Sequence, residues 1–225
     1  MNEGPDLSRR ERRKLEVRAR ILAAGLELFR ARGFADTKVS DICERADVAH
    51  KTFFNHFPSK QELVREIAQH AIGELLIDIE TARKTGANTA DRLACFFNDM
   101  AARSLEAGPM FREVVSELVH VVHESGSRSE QARRLHDAFG AIVADGLAAG
   151  DVTRRHDAET LTEMILGAYY VLIFNYANLD DFPLVDQAVA VARFLGDALA
   201  PNSAEAHAAL GSASLRGRFA ALPKE

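Results

Sequence analysis

One short segment in the first third of the chain carries side chains that can read nucleic acid. In residues 48–56, Val48, Thr52 and Phe53 recur at helical spacing and predict the buried side of a short helix. The opposite face carries small, polar and cationic groups: Ala49, His50, Lys51, Phe54, Asn55 and His56. Side-chain donors and acceptors on a helix can pair with base edges in the major groove of DNA. The segment is therefore a candidate recognition helix.

A second short helix precedes the candidate recognition helix. Its predicted inward side is formed by residues spaced three and four apart: Val39, Ile42, Cys43 and Ala46. Thr37 is predicted to cap its start, and Asp47 is predicted to turn the chain after it, because Asp tolerates the left-handed conformation. Two short helices joined in this way are typical of a helix-turn-helix, in which the second helix lies in the major groove.

Pro58 marks the end of the candidate recognition helix. The residue before a proline avoids the helical conformation, so the helix is predicted to stop there. Ser59 can then cap a further helix that begins at Lys60. Residues 37–60 thus predict helix, turn, helix and the start of another helix.

These residues closely resemble the signature of the TetR family of bacterial transcriptional repressors. Family members carry an alanine-glycine-valine turn followed by a pattern like Thr-x-Tyr-x-His-Phe-x-Ser-Lys. This chain has Ala-Asp-Val at 46–48 and Thr-Phe-Phe-Asn-His-Phe-Pro-Ser-Lys at 52–60. Asp47 replaces the turn glycine, Ala49 replaces a serine that supplies a cap hydroxyl, and Phe54 replaces a tyrosine whose hydroxyl commonly contacts phosphate. The resemblance implies a three-helix DNA-binding domain that lacks the tyrosine contact.

The candidate DNA contacts divide into two predicted roles. We assign His50, Lys51 and Asn55 to base edges. Ala49 and Phe54 are assigned to apolar contact, such as with a thymine methyl group. Contact with phosphate is predicted for four further residues: Thr37, Lys38, His56 and Lys60. Any one of these would be unremarkable on a solvated surface, whereas the set together favours DNA binding.

Charge is divided unevenly along the chain. The whole chain has a net charge of -5. Residues 1–60 contain 13 Lys and Arg against 9 Asp and Glu, whereas the remainder contains 15 against 24. A net positive N-terminal part beside a net negative remainder is what phosphate binding by one module requires.

The sequence predicts four segments. Residues 1–14 form a basic arm, 15–59 the DNA-binding domain, 60–200 a larger ligand-binding and dimerisation domain, and 201–225 a flexible tail. The arm is either a solvated tail or a contact to phosphate or the minor groove. The first helix is predicted to begin near Leu15 and to end at Gly33 in a left-handed cap.

Everything from Lys60 to the tail is predicted to be helical, because no stretch alternates with a period of two. Apolar positions at helical spacing predict helices over about 60–84, 90–106, 111–124, 129–149, 157–178 and 184–199. The predicted fold class is therefore all-α, with an N-terminal three-helix helix-turn-helix domain and a larger C-terminal helical domain. In the family that the chain resembles, the helix from Lys60 is a lever that changes the separation of two recognition helices.

The last two long helices are predicted to hold two chains together as a homodimer. The first of them is apolar nearly all round from Ile165 to Phe174, so one side needs cover beyond its own neighbours. The resemblance implies that both helices pair with their symmetry mates in a four-helix bundle. A dimer with recognition helices about 34–36 Å apart suits an inverted-repeat operator in double-stranded DNA. A single dimer and a pair of dimers on one operator both fit the sequence.

The larger domain is predicted to hold a pocket for a small-molecule inducer. Such pockets are lined by apolar side chains with a few polar groups. The predicted lining is Phe96, Phe97, Met100, Phe111, Val115, Leu118, Phe139, Tyr169, Tyr170, Phe174 and Asn175. Aromatic residues at helical spacing also form ordinary core, so both interpretations stay open at each position. A lining of this kind suits an apolar or amphipathic ligand that releases a repressor from DNA, with activation as the less common outcome in the family.

Histidines offer an alternative interpretation. His120 and His123 lie three apart and are followed by Glu124, with His136 and the pair at 156–157 elsewhere. This pattern permits a helical metal-binding protein or a metal-assisted hydrolase. The His-x-x-His spacing is common by chance and no second motif supports it. The sequence therefore favours a protein without catalytic residues, bound metal or cofactor.

Composition places the chain among soluble globular proteins, with 47% hydrophobic and 27% charged residues. Its polar and basic beginning has no apolar core of a signal peptide. The longest uncharged apolar run, from Met164 to Phe174, has eleven residues, whereas a membrane span needs about 20. We therefore expect a cytoplasmic protein with no membrane partner. Cys43 and Cys95 are predicted to be reduced structural thiols.

Overall fold

The computed structural model describes residues 8–115 and 130–202. Within these ranges the α-helices are α1 Arg9–Arg32, α2 Val39–Ala46, α3 His50–His56, α4 Lys60–Thr85, α5 Thr89–Ala107, α6 Glu130–Ala149, α7 Ala158–Asn178 and α8 Leu184–Leu199. A 3₁₀ turn, Gly108–Met110, follows α5 and leads into helical residues 111–115. Neither range contains a strand, so the predicted all-α fold class is confirmed. None of the helices in these ranges combines the length and apolar character that crossing a membrane requires.

Two compact units divide the chain. The first comprises residues 1–73 and 104–125, and the second comprises residues 74–103 and 126–225, each as far as the structure describes them. Both α4 and α5 therefore contribute residues to both units. The predicted domain boundary lies at the start of α4, whereas the compact units divide this helix after Gly73.

α1 begins earlier than the sequence predicts. The Glu11 amide donates to the Ser8 hydroxyl at 3.3 Å, and the Ser8 amide donates to the Glu11 carboxylate at 2.9 Å. This reciprocal cap starts the helix at Arg9 rather than near Leu15, so residues 9–14 of the predicted arm are helical. Residues 1–7 of the arm lie outside the described ranges. The helix ends at Gly33, whose φ of 80° lies in the region that favours glycine.

The turn between α2 and α3 has the predicted backbone conformation. Asp47 ends α2 with a φ of 52° and a ψ of 58°, which is left-handed. The predicted cap of α2 is wrong by one residue, because the N-cap is Lys38. Thr37 is fully buried, and its hydroxyl donates to the Gly33 carbonyl at 2.7 Å. This hydrogen bond ties the end of α1 to the start of α2.

An apolar core joins the helices of the first unit. Its members with no exposed surface are Ile21, Phe29, Ile42, Phe53 and Leu63, and Phe57 is 1% exposed. The predicted core positions of Phe53 and Phe57 are thereby confirmed. Gly25 lets α1 and α4 pack closely, since a Cβ atom there would lie 2.5 Å from Leu63 Cδ2. The core thus fixes α3 against α1 and α4.

The second unit has an aromatic core and a cap contributed from a distant loop. Phe96, Phe97 and Phe139 are fully buried, and the Phe96 ring centroid lies 5.1 Å from that of Phe97 and 5.0 Å from that of Phe139. After α6, the Asp151 carboxylate accepts from the Thr89 amide at 3.0 Å and from the Thr89 hydroxyl at 2.7 Å. These bonds fix the start of α5 against the end of α6.

Candidate nucleic-acid interface

The outward face of α3 is the centre of the candidate interface. The five residues predicted to touch bases, directly or through apolar contact, are all exposed: Ala49, His50, Lys51, Phe54 and Asn55. Phe54 is 50% exposed, so half of its side-chain surface is accessible for contact. The inward face of the same helix carries the fully buried Phe53. One short helix therefore presents polar, cationic and apolar groups together on its exposed side.

Aromatic packing orients this face. The Phe53 ring lies edge-on to Phe54, with centroids 5.3 Å apart and planes at 83°. Edge-to-face contacts of this kind are favourable beyond the area that they bury. The His50 ring lies 6.5 Å from the Phe54 ring on the exposed side. Ala49 begins the helix without a side-chain cap, as expected from the missing serine hydroxyl.

Arg18 of α1 holds the C-terminal end of α3, a role that the sequence does not predict. Its guanidinium donates to the His56 carbonyl at 2.6 Å, pairs with the Glu66 carboxylate and lies 4.3 Å above the Phe57 ring. The His56 carbonyl is one of the last in α3, where helical acceptors lack internal partners. No pattern in the sequence links residues so far apart, so only the folded contacts reveal this role.

The phosphate contact predicted at Lys38 and the base contact predicted at Lys51 both suit the positions of these lysines. Both side chains are exposed, and neither forms an ion pair with another described residue. Other nearby cations are already neutralised by carboxylates. Arg32 pairs with Asp41 at 2.5 Å, and Arg45 pairs with a glutamate of α1 at 2.8 Å. The structure therefore leaves two lysines beside the recognition helix available to DNA.

Two other phosphate assignments are corrected by the structure. Thr37 is fully buried and its hydroxyl is engaged by Gly33, so its side chain does not reach a phosphate. The Lys60 ammonium donates to the Phe34 carbonyl at 2.6 Å and to the Thr37 carbonyl at 2.7 Å, and lies 3.9 Å from the centre of the Phe34 ring. Burial lowers the pKa of Lys60, as expected for an amine withdrawn from water. Both residues tie together the loop before α2.

His56 occupies an intermediate position. Its side chain is half-buried beside a polar cavity of about 140 Å³. Its Nδ1 atom is buried and has no hydrogen-bond partner among the described residues. Burial, followed by the positive charges of Arg18 and Lys14, lowers the pKa of His56. A neutral imidazole is therefore favoured here, and it would contact phosphate as a hydrogen-bond donor rather than as a cation.

The predicted ligand-pocket residues fall into separate groups. In the second unit, Phe96, Phe97, Met100, Phe139 and Tyr169 are buried. Phe111 and Val115 are buried as well, but they belong to the first unit. Tyr170 is 44% exposed and Phe174 is 57% exposed, while Asn175 is half-buried. Leu118 lies outside the described residues. The buried aromatic group of the second unit is thus the part that could enclose a ligand.

Large apolar side chains are exposed along α7 and α8. They are Met164, Tyr170, Val171, Phe174, Val185, Val189 and Phe194. Phe194 is the most exposed of these, at 69%. A concentration of exposed apolar groups on neighbouring helices commonly marks a surface that another molecule covers.

The histidines considered as metal ligands in the sequence lie in different parts of the chain. His120, His123 and Glu124 lie outside the described residues. His136 is half-buried in α6, and His156 is exposed before α7. The Asp157 side chain accepts from the Thr160 amide at 2.7 Å and so caps α7.

Comparison with known proteins supports the assignment of the N-terminal part. A family profile described as bacterial regulatory proteins, tetR family, matches residues 21–67, which contain α2, α3 and parts of α1 and α4. The transcriptional regulator TcmR of Streptomyces glaucescens is 33% identical over 100 residues, which are 44% of this chain and 43% of that protein. The chain thus matches less than half of the length of this curated relative.

Solved structures of similar fold cover most of the chain. A TetR-family transcriptional regulator from Pectobacterium atrosepticum has a TM-score of 0.68 at 21% identity, covering 84% of this chain and 96% of that one. FadR from Thermus thermophilus, a TetR-family transcriptional repressor in complex with lauroyl-CoA, has a TM-score of 0.56 at 21% identity, covering 79% of this chain and 92% of that one. At these identities the similarity establishes the fold.

Proposed function

We propose that the chain is a sequence-specific DNA-binding transcriptional regulator of the TetR family, whose family profile matches residues 21–67 and whose solved members share its fold. In this proposal it is a homodimer that represses transcription from an inverted-repeat operator in the cytoplasm. A small apolar or amphipathic ligand releases it from the DNA. The proposal assigns the chain no catalytic activity.

The observation that carries the proposal is the exposed face of α3. It offers Lys51 and Asn55, whose side chains pair with guanine and adenine edges respectively, and Phe54, which can contact a thymine methyl group. The same helix is anchored by Phe53 and by Arg18, so these groups are presented on a fixed support. A preorganised helix keeps the loss of side-chain and backbone freedom on binding small.

Dimerisation supplies the second recognition helix. The exposed apolar side chains on α7 and α8 support a second copy of this chain as their cover, because a symmetric interface places the same patch on both partners. Tyr170 and Phe174 belong to this patch in the proposal, rather than to the ligand pocket. Recognition helices about 34–36 Å apart would then read successive major grooves.

The ligand would bind among the buried aromatic residues of the second unit. The Tyr169 ring lies 6.0 Å from Phe96 and 6.2 Å from Phe139, so the rings contact one another directly. A ligand that enters here must separate them, and its apolar part then replaces the contacts that they lose. The lauroyl-CoA complex of the similar Thermus thermophilus repressor supports a ligand with an acyl chain.

Release from DNA follows from a difference in ligand affinity between two arrangements. The arrangement with packed rings favours operator binding, and the arrangement with separated rings favours the ligand. The ligand and the operator each increase the population of the arrangement that they bind better. Ligand binding therefore weakens operator binding, and operator binding weakens ligand binding, by the same coupling free energy. α4 contributes residues to both compact units and is therefore the element proposed to carry this coupling.

Selection of random duplex DNA by the purified chain tests the proposal. We expect an inverted repeat, and this sequence then serves as the probe in mobility-shift titrations. Lys51→Ala and Asn55→Ala should each weaken binding by about 1–3 kcal/mol, the typical contribution of a base contact. Lys84→Ala provides a matched control, since Lys84 is exposed in α4 and pairs with Glu80. Recovery of no motif, or unchanged binding in both variants, would remove the proposal.

A further inference from the structure

Three potential metal ligands meet where α6 packs against α7 in the second unit. His136 lies in α6, and Glu159 and Glu163 lie one turn apart in α7. The Nε2 atom of His136 is 3.5 Å from Glu163 Oε1 and 3.8 Å from Glu159 Oε1. The three ligand atoms all lie within 4.8 Å of one another. No local sequence pattern identifies this cluster, because its members are brought together only by helix packing.

The separations are too long for direct hydrogen bonds. An N–H···O bond spans about 2.7–3.2 Å. Two ligands held about 2.1 Å from one tetrahedral zinc ion lie about 3.4 Å from each other. The observed separations of 3.5 and 3.8 Å are nearer to this second geometry. The His136 Nε2 atom is also buried without a hydrogen-bond partner among the described residues.

The two glutamates face the same side of α7. Residues four apart on a helix are neighbours, and like charges in this relation repel each other. A cation between the carboxylates would replace this repulsion with attraction to both. The side chains of Glu159 and Glu163 are 78% and 54% exposed, so they can change rotamer to close around an ion without disturbing the core.

We propose that His136, Glu159 and Glu163 bind one divalent transition-metal ion of the zinc class. His136 contributes Nε2, and each glutamate contributes one carboxylate oxygen. Imidazole favours this class over magnesium and calcium, which prefer ligand sets made entirely of oxygen. Three protein ligands leave a fourth position for water or another small ligand. The ion would connect α6 to α7 within the second unit.

A neighbouring carboxylate fits the environment of a metal-binding histidine. Asp137 Oδ1 lies 3.8 Å from the Nδ1 atom of His136. Histidines that bind metals commonly direct their second ring nitrogen toward a carboxylate or carbonyl, which fixes the ring orientation. A small adjustment of the exposed Asp137 side chain would allow it to accept this hydrogen bond.

Titration of the full chain, without an affinity tag, with Co²⁺ and Zn²⁺ tests the proposal. We expect one ion per chain, seen as Co²⁺ absorption bands and as heat released by Zn²⁺. His136→Gln should weaken binding at least about tenfold. The double variant with Glu159→Gln and Glu163→Gln should do the same, and it alters only exposed side chains, so it keeps the test valid if His136→Gln does not fold.

Two control variants define the site. His156→Gln removes an exposed histidine outside the cluster and should leave the affinity unchanged. A double variant with His120→Gln and His123→Gln should likewise retain the ion. Absence of saturable binding by the unaltered chain, or full binding by the double glutamate variant, would overturn the proposal. Loss of the ion only in the variant lacking His120 and His123 would overturn it as well. The measurement contains no DNA, so its outcome is independent of the proposed regulatory function.

Discussion

Lys60 donates to two backbone carbonyl groups and lies over an aromatic ring, so its charge acts inside the first unit. From the sequence, Lys60 is predicted to contact phosphate, because it is a cation at the start of the helix that follows the recognition helix. Thr37 is likewise engaged within the first unit rather than with phosphate, because its hydroxyl donates to the Gly33 carbonyl. The residues that remain accessible for contact with DNA are Lys38 and those on the exposed face of α3.

Substitution of Lys60 by methionine separates a structural tie from a DNA contact. Lys60→Met keeps the length of the side chain but leaves the carbonyl groups of Phe34 and Thr37 without their donor. We expect a loss of about 1–3 kcal/mol in the free energy of unfolding, because buried acceptors would lose their hydrogen bonds. The salt dependence of operator binding should stay as it is, whereas Lys38→Ala should reduce its slope by about one. If Lys60→Met reduced the slope of operator affinity against salt concentration, Lys60 would contact phosphate as first predicted.

His56 predicts a pH dependence of stability. Its pKa is lowered in the folded chain by burial, then by Arg18 and Lys14, from the ordinary value of 6.5. The unfolded chain therefore binds the proton at a higher pH than the folded chain does. The stabilisation from neutral His56 is complete above pH 6.5 and decreases as the pH falls below it.

Urea unfolding of the unaltered chain and of His56→Gln, at about pH 7 and about pH 5, checks this expectation. The midpoint of the unaltered chain should fall more on acidification than that of the variant. His70→Gln is the control, because His70 is exposed in α4 and should retain the full dependence. An equal fall of the urea midpoint on acidification in the unaltered chain and in His56→Gln would contradict the prediction.

At the scale of elements, α3 is too short to be stable alone, and its position depends on its neighbours. The buried rings of Phe53 and Phe57 anchor its inner side, and Arg18 binds the carbonyl at its end. Close packing of α1 on α4 supports this arrangement from beneath, through the contact of Gly25 with Leu63. The recognition face is thus fixed by helices that do not themselves carry it.

Two glycine substitutions test the close packing of α1 on α4. Gly25→Ala should reduce the free energy of unfolding by about 1–3 kcal/mol, because the new Cβ atom would overlap Leu63. Gly73→Ala in α4 is the matched control, since a Cβ atom at that position meets nothing within 4 Å. It should stabilise the chain by about 0.5–1 kcal/mol, because alanine favours the helix. Thermal and urea unfolding measure both, and equal effects of the two changes would refute the packing argument.

For the whole molecule, the distribution of apolar groups separates two functions. Buried aromatic rings in the second unit support a ligand site, whereas exposed apolar groups on α7 and α8 support an interface with a second chain. Tyr170 and Phe174 are predicted from the sequence to line the ligand pocket, but both are exposed, so the proposal assigns them to the interface on α7 and α8. Regulation by this molecule, as proposed, requires both surfaces at once.

Charged substitutions on α7 and α8 test the interface. Val171→Asp and Phe194→Asp place a carboxylate on side chains that are 59% and 69% exposed, so the single chain should still fold. A buried, unpaired charge strongly disfavours association. Light scattering should show a monomer, and operator affinity should fall together with the dimer. Leu105→Asp, at a residue that is 48% exposed in α5, should leave a dimer. A dimer in all three variants would place the interface elsewhere.

The sequence by itself determined the features that depend on local geometry. The helical period of about 3.6 residues predicted which side of α3 faces inward, and the tolerance of Asp for a left-handed backbone predicted the turn at Asp47. The absence of a two-residue period predicted the all-α class, because strand and helix repeats differ along any single segment. Each of these inferences needs only residues that are close in the chain.

Only the tertiary structure decided contacts between distant segments. The tie of Lys60 to the loop before α2, the clamp of Arg18 on α3 and the cap of Thr89 by Asp151 join residues that no local pattern connects. The cluster of His136 with the glutamates of α7 belongs to the same class. Side-chain periodicity fixes the face on which a residue lies, but the partner on that face is set by how the helices pack.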